Sequence, residues 1–386
     1  FFLRETLNSF FGCFFFVLCL VGGFNSIHFQ RIMAVKERKR NSHSYDNHNN
    51  IPSRPNVQIP THRVLLVVAV GTLSLVAALV SVSFFLKSKT RGDPLNEDFP
   101  PLSSSASIEG RKILVVIGEG EGGAAEKLVL ELANRGASLV VMRGEVGWTK
   151  WEGRFREFRG NLGTIEGQKA LEKEIEDPES LSTIIFTQTL SSQPASREVN
   201  GEGIEKGLAF CYLSRRIILE GLLERGFQGR VFSMGWVGNN YKIDDFNGNF
   251  AYEKSTQLSN WIEANNALVL GFRKRHPNLE IYGANLPFHE ILLMMGGGES
   301  RHVKGVVSFL SPLFSTSLDA YVEKMISVMF CKKIPSSVVF LNQYGEAIAR
   351  SPYLSEEKNV DFIWSETDKL LEKAESSQGE ENWWKK

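Results

Sequence analysis

Residues 112–143 read KILVVIGEGEGGAAEKLVLELANRGASLVVMR, and this stretch decides the fold. Residues 113–117 form a short, β-branched apolar run, the pattern of a parallel strand buried on both faces. Gly118, Gly120, Gly122 and Gly123 follow at once, and only then does a helical pattern begin. Within it Ala124, Leu128, Leu132 and Ala133 share one face, the spacing of a helix packed on a sheet. Gly136 supplies the stop, and residues 139–142 are a second strand. A glycine turn between strand and helix lets backbone N–H groups approach a pyrophosphate at the helix N-terminus. The stretch therefore says nucleotide-binding α/β fold, without saying enzyme.

Gly118-x-Gly120-x-x-Gly123 fits the dinucleotide fingerprint, which makes Gly118, Gly120, Gly122 and Gly123 candidate cofactor-binding residues. Arg143, near the end of the second strand, favours NADP over NAD if a cofactor binds. Glu119 and Glu121 stand in the same turn, where carboxylates would repel phosphates. The other reading is a sheet-capping turn that no longer holds a cofactor, and both stay open here.

Towards the C-terminus, residues 155–159, 181–187, 230–234, 279–284 and 338–341 read as further strands. Helical patterns lie between them at about 164–175, 203–225 and 256–276. Strands alternating with helices argue a doubly wound parallel sheet, a single Rossmann-like domain over 111–375 followed by a charged tail, 376–386. The full chain has 386 residues, 42% hydrophobic and 23% charged, enough for one large core plus extensions. A formal net charge of +0 suggests no nucleic-acid partner. The four cysteines form no CxxC pair and no cluster with histidine at ligand spacing, so neither a disulfide framework nor a metal site is expected.

Towards the N-terminus, residues 87–110 carry Pro, Ser and Gly and read as a linker. Residues 64–86 (VLLVVAVGTLSLVAALVSVSFFL) have no charge and are bounded by Arg63 and Lys87. At about 1.5 Å per residue they can cross a bilayer core of about 30 Å. A single transmembrane helix is expected, the alternative being a fully buried soluble helix. Basic residues on both flanks leave the orientation open. Residues 1–63 combine an apolar run at 10–24, about as long as a signal-peptide core, with a polar segment, 36–63, of disordered composition. Residues 1–32 also fit translated upstream sequence, with Met33 as the start.

Several segments resemble the short-chain dehydrogenase/reductase family, particularly its membrane-anchored, retinol-dehydrogenase-like members. Gly118-xxx-Gly122-x-Ala124 is similar to the family's G-xxx-G-x-G turn with alanine for the last glycine. GNLGTIEGQKALEKEI (160–175) resembles the aspartate-leucine-serine segment ahead of a helix. EGIEKGLAFCYLSRRIILEGLL (202–223) resembles the long central helix, and GRVFSMGWVGN (229–239) the strand before the catalytic serine. Residues 338–371 are similar to the last strand and helix. The resemblance covers about 112–372, and no single motif is intact.

The family moves a hydride with a nicotinamide, while a tyrosine assisted by a lysine transfers the proton. Aligned residue by residue, the family's serine falls on Trp236, its helix asparagine on Cys211 and its adenine-contacting aspartate on Asn161. Its Asn-Asn-Ala-Gly turn falls on Phe186-Thr187-Gln188-Thr189, and its proline-glycine on Pro287-Phe288. The Tyr-xxx-Lys pair is broken: Lys254 pairs with Phe250, or Tyr252 with Thr256. Tyr252 and Lys254 are the candidate catalytic pair, which works only if the helix begins after Lys254. Residues 288–314 correspond to the substrate lid, with 291–295 either dipping into a bilayer surface or forming a covered helix. The resemblance implies a non-catalytic, membrane-anchored binding or assembly protein, or an atypical NADP-dependent oxidoreductase for a lipophilic alcohol or ketone. The partner would be a second copy or a membrane protein, and the location an endomembrane, the endoplasmic reticulum first.

Overall fold

The structure, a computed structural model, describes residues 108–118, 123–144, 155–189, 194, 196–235, 241–250, 252–287 and 316–381. Residues 64–86 and 288–314, together with Gly120, Gly122 and Trp236, lie outside the described residues. Among the described residues no helix is long and apolar enough to cross a membrane.

The described residues build an eight-stranded sheet in the order β3-β2-β1-β4-β5-β6-β7-β8. The strands are β1 Lys112–Ile117, β2 Ser138–Arg143, β3 Arg156–Arg159, β4 Leu181–Phe186, β5 Arg230–Gly235, β6 Glu280–Asn285, β7 Phe340–Leu341 and β8 Ala347–Ile348. The first seven are parallel, and β8 closes the edge antiparallel. The expected doubly wound parallel sheet is therefore present. β8 follows a turn through Gly345 at φ 70, a conformation that favours glycine; two residues long, it carries too little periodicity to be read from sequence.

Among the described residues the helices are α1 Gly123–Asn134, α2 Ile165–Lys173, α3 Lys206–Leu208, α4 Ser214–Glu224, α5 Lys254–Arg275, α6 Leu318–Met329, α7 Pro352–Ser355 and α8 Glu357–Glu381. A π-helical turn, Ala209–Leu213, joins α3 to α4 into one central helix. The last helix runs past residue 375, so the expected tail begins inside it. Side chains of the strands alternate between two cores. Leu114, Val116, Ile184, Phe186, Val231 and Ile281 pack towards α2, the central helix, α5 and α8. Ile113, Val115, Ile117, Ile185, Phe232 and Met234 face α1 and α6. Both faces of the sheet are thus covered, as a parallel sheet requires.

Candidate functional site

β1 lies between β2 and β4, so the chain leaves β1 to one side and later returns on the other. In open α/β sheets this switch point, beyond the carboxyl ends of the strands, is where ligands bind. Gly118 sits there, buried directly after β1. A Cβ on it would lie 2.4 Å from the carbonyl oxygen and 2.7 Å from the nitrogen of Thr189, so only glycine lets the segment after β4 approach this closely. That segment is tied to β1: the Thr187 N–H donates to the Val116 carbonyl at 2.8 Å and its hydroxyl at 3.1 Å. Gly123 opens α1 with φ 84, again a left-handed residue that glycine adopts without strain.

The strand register sets Ile117, Arg143 and Arg159 in one row across the ends of β1, β2 and β3. Arg143 is buried and its Nε pairs with the Glu157 carboxylate. The same carboxylate accepts from the Arg159 Nε at 3.0 Å, and the Arg159 side chain is 55% exposed. Two guanidiniums share one carboxylate, so the row keeps a net positive charge. Arg159 is the more available member, which sequence reasoning missed: the signal was the parallel partner strand, invisible without the register.

Tyr252 and Lys254 stand at the start of α5. α5 begins at Lys254, with Glu253 as its N-cap residue, so Tyr252 stands just outside the helix and Lys254 in its first turn. The Tyr252 hydroxyl donates to the Pro194 carbonyl at 3.4 Å. Burial, with the Glu205 and Glu198 charges adding to it, pushes its phenol up to about 12. A proton-transferring tyrosine needs the opposite, a neighbouring cation that draws its pKa towards the operating range. No hydrogen bond joins Tyr252 to Lys254 among the described residues. Phe250, at the alternative tyrosine position, is 90% exposed in a turn whose amide is held by Asp245 at 2.7 Å.

The positions matched to other family residues are occupied by structure. The Asn161 side chain caps its own turn, accepting from the Gly163 N–H at 2.8 Å. Cys211 is buried within the π-helical turn. Across the central helix, Trp261 of α5 presses its ring so closely on Gly207 that a Cβ there would lie 1.9 Å from it. The Trp261 Nε1–H donates to Glu205 at 2.9 Å. Glu205, held above the usual carboxylate range by burial, also accepts from the Gly207 and Leu208 amides at 3.0 and 2.7 Å, and so caps the central helix. It is a structural acid. Among the described residues no group of His, Cys, Asp or Glu could hold a metal ion.

No protein-family model matches the chain. It is 25% identical over 285 residues to an uncharacterized oxidoreductase of Saccharomyces cerevisiae, a match spanning 70% of this chain and 92% of the relative. The strand order is that of a Rossmann-like parallel α/β sheet. Solved structures resemble it loosely. An uncharacterized protein of Mycobacterium paratuberculosis shares 14% identity, covering 69% of this chain and 95% of its own, with a TM-score of 0.47. A short-chain dehydrogenase from Burkholderia cenocepacia in complex with NADP shares 14% identity over 46% of this chain and 73% of its own, with a TM-score of 0.34.

Proposed function

We propose that the chain is a member of the short-chain dehydrogenase/reductase family that binds NADP and has lost the family's proton-transfer site. In this reading residues 64–86 anchor it in an endomembrane such as the endoplasmic reticulum, and it serves binding or assembly, with a second copy or a membrane protein as partner. The observation that carries it is Tyr252: its phenol is raised to about 12, with carboxylates rather than a cation acting on it. The residues present fit a dinucleotide. Gly118 lets the two loops at the switch point meet, Gly123 opens the helix, and Arg159 with Arg143 puts positive charge beside the expected ribose position. A nicotinamide would supply hydride chemistry there; this chain's own residues supply binding and orientation.

Calorimetry of the full chain in detergent against NADPH and NADH tests the binding arm. Micromolar NADPH binding with no oxidation of NADPH by a panel of lipophilic ketones is the expected result. Absence of binding up to millimolar dinucleotide would remove the cofactor from the proposal. The second reading, an atypical oxidoreductase acting on a lipophilic alcohol or ketone, is favoured by the yeast relative described as an oxidoreductase over nearly its whole length. Turnover that disappears in Tyr252→Phe would establish that reading instead.

A further inference from the structure

Arg215 of α4 is buried at 1% exposure, and no carboxylate pairs with it among the described residues. Its Nη1 donates to the Ser233 hydroxyl at 2.7 Å and its Nη2 to the Gln188 carbonyl at 2.7 Å. Among the described residues its Nε has no hydrogen-bond partner, and neither does the Gln188 Oε1. Gln188 Nε2 in turn donates to Ser214 Oγ at 3.3 Å, and that hydroxyl donates to the Phe210 carbonyl at 2.5 Å. Burial draws the guanidinium down to about 10, so it stays protonated at neutral pH. A buried charge without a counter-charge is expensive to keep in the fold. The cost calls for a role beyond holding the fold together.

The geometry of its two acceptors supplies one. Ser233 belongs to β5, and Gln188 follows β4. The Gln188 Cα lies 3.3 Å from the position a Cβ on Gly118 would take, and Thr189 is closer still. Arg215, Gln188–Thr189 and Gly118 therefore form one continuous line from the central helix, across the ends of β5 and β4, to the glycine turn after β1. Gln188 and Thr189 belong to the segment Phe186-Thr187-Gln188-Thr189 that aligns with the Asn-Asn-Ala-Gly turn of the resembled family.

We propose that Arg215 is a positioning residue: a buried strut that holds the segment after β4 against Gly118 and so sets the shape of the nucleotide crevice. It grips a backbone carbonyl, a group present whatever side chains occupy the turn. The proposal rests on the cofactor-binding reading for its functional consequence, but the strut itself does not.

The test uses the full chain in detergent, with Arg215→Met, Arg215→Lys and Ser233→Ala. Two quantities are read: NADPH affinity by calorimetry, and hydrogen exchange of the Thr187 amide, which is bonded to Val116. In Arg215→Met we expect a lower melting temperature, because the buried Ser233 hydroxyl and Gln188 carbonyl lose their donor, together with faster Thr187 exchange and NADPH affinity reduced roughly tenfold or more. Arg215→Lys, able to reach one acceptor, should recover part of both. Ser233→Ala keeps the charge and loses one anchor, so a smaller change in the same direction is expected even if Arg215→Met does not fold. Wild-type exchange at Thr187 and wild-type NADPH affinity in a folded Arg215→Met protein would overturn the strut, as would wild-type values in Ser233→Ala if only that variant folds. If the wild-type chain binds no NADPH, the cofactor reading fails by itself, and Thr187 exchange alone then decides the strut.

Discussion

Glu263 of α5 is fully buried, accepting from the Tyr241 N–H at 3.1 Å and from the Ser351 hydroxyl at 3.2 Å. Burial pushes its carboxyl up to about 7, against the opposing pull of those donors. Between the ordinary value of 4.5 and about 7, the folded chain therefore holds a proton that the unfolded chain has released. Stability from this group is complete below pH 4.5 and is lost as pH rises through 7. A shift of that size corresponds to about 3 kcal/mol at pH 8 and above. Glu263→Gln is isosteric with the protonated form: its Oε1 can accept from the Tyr241 N–H while its Nε2 donates to the Ser351 hydroxyl, the sense in which a protonated carboxyl would also donate. Urea denaturation of the full chain, followed by the buried Trp261 and Trp364, should find wild type and variant alike near pH 5. At pH 8 the variant should be the more stable by about 2–3 kcal/mol. A variant less stable than wild type by the same amount at both pH values would mean that the carboxylate is ionised throughout, and the reasoning would fall.

Gly118→Ala should destabilise the domain by about 1–3 kcal/mol and weaken NADPH binding, because its Cβ would meet Thr189 backbone that cannot step aside; calorimetry and melting curves check both. Trp364→Ala should cost about 3–5 kcal/mol by denaturation: the ring packs against Phe272 at 5.2 Å, donates to the Ala267 carbonyl at 3.1 Å and lies under Arg216 and Arg275. Arg159→Ala should lower NADPH affinity by about tenfold while leaving NADH affinity nearly unchanged, since it removes the accessible cation of the row. Equal losses for both dinucleotides would instead assign Arg159 to the fold.

The unit from β1 through the glycine turn to β2 was legible because its signals are local: a β-branched run, glycines, then a 3.6-residue period. The same holds for α2, whose Thr164 cap accepts from the Gly167 N–H at 3.2 Å within three residues. Element ends were less legible. α5 starts at Lys254, two residues earlier than its periodicity suggests, because its buried face carries Gln257, Asn260, Glu263 and Asn266, polar residues that hide the apolar stripe.

The candidate site divides in the same way. Sequence alone indicated the parallel α/β architecture and the glycine turn after the first strand, since strand runs, helical periods and glycines are local patterns. Only the tertiary structure decided that Arg143 is held by Glu157 of the neighbouring strand, that burial raises the Glu263 carboxyl, and that Arg215 reaches Gln188 twenty-seven positions away. An ionisable side chain takes its chemistry from the dielectric and the partners around it. Those partners arrive from other strands and helices, and no local pattern in the chain records them.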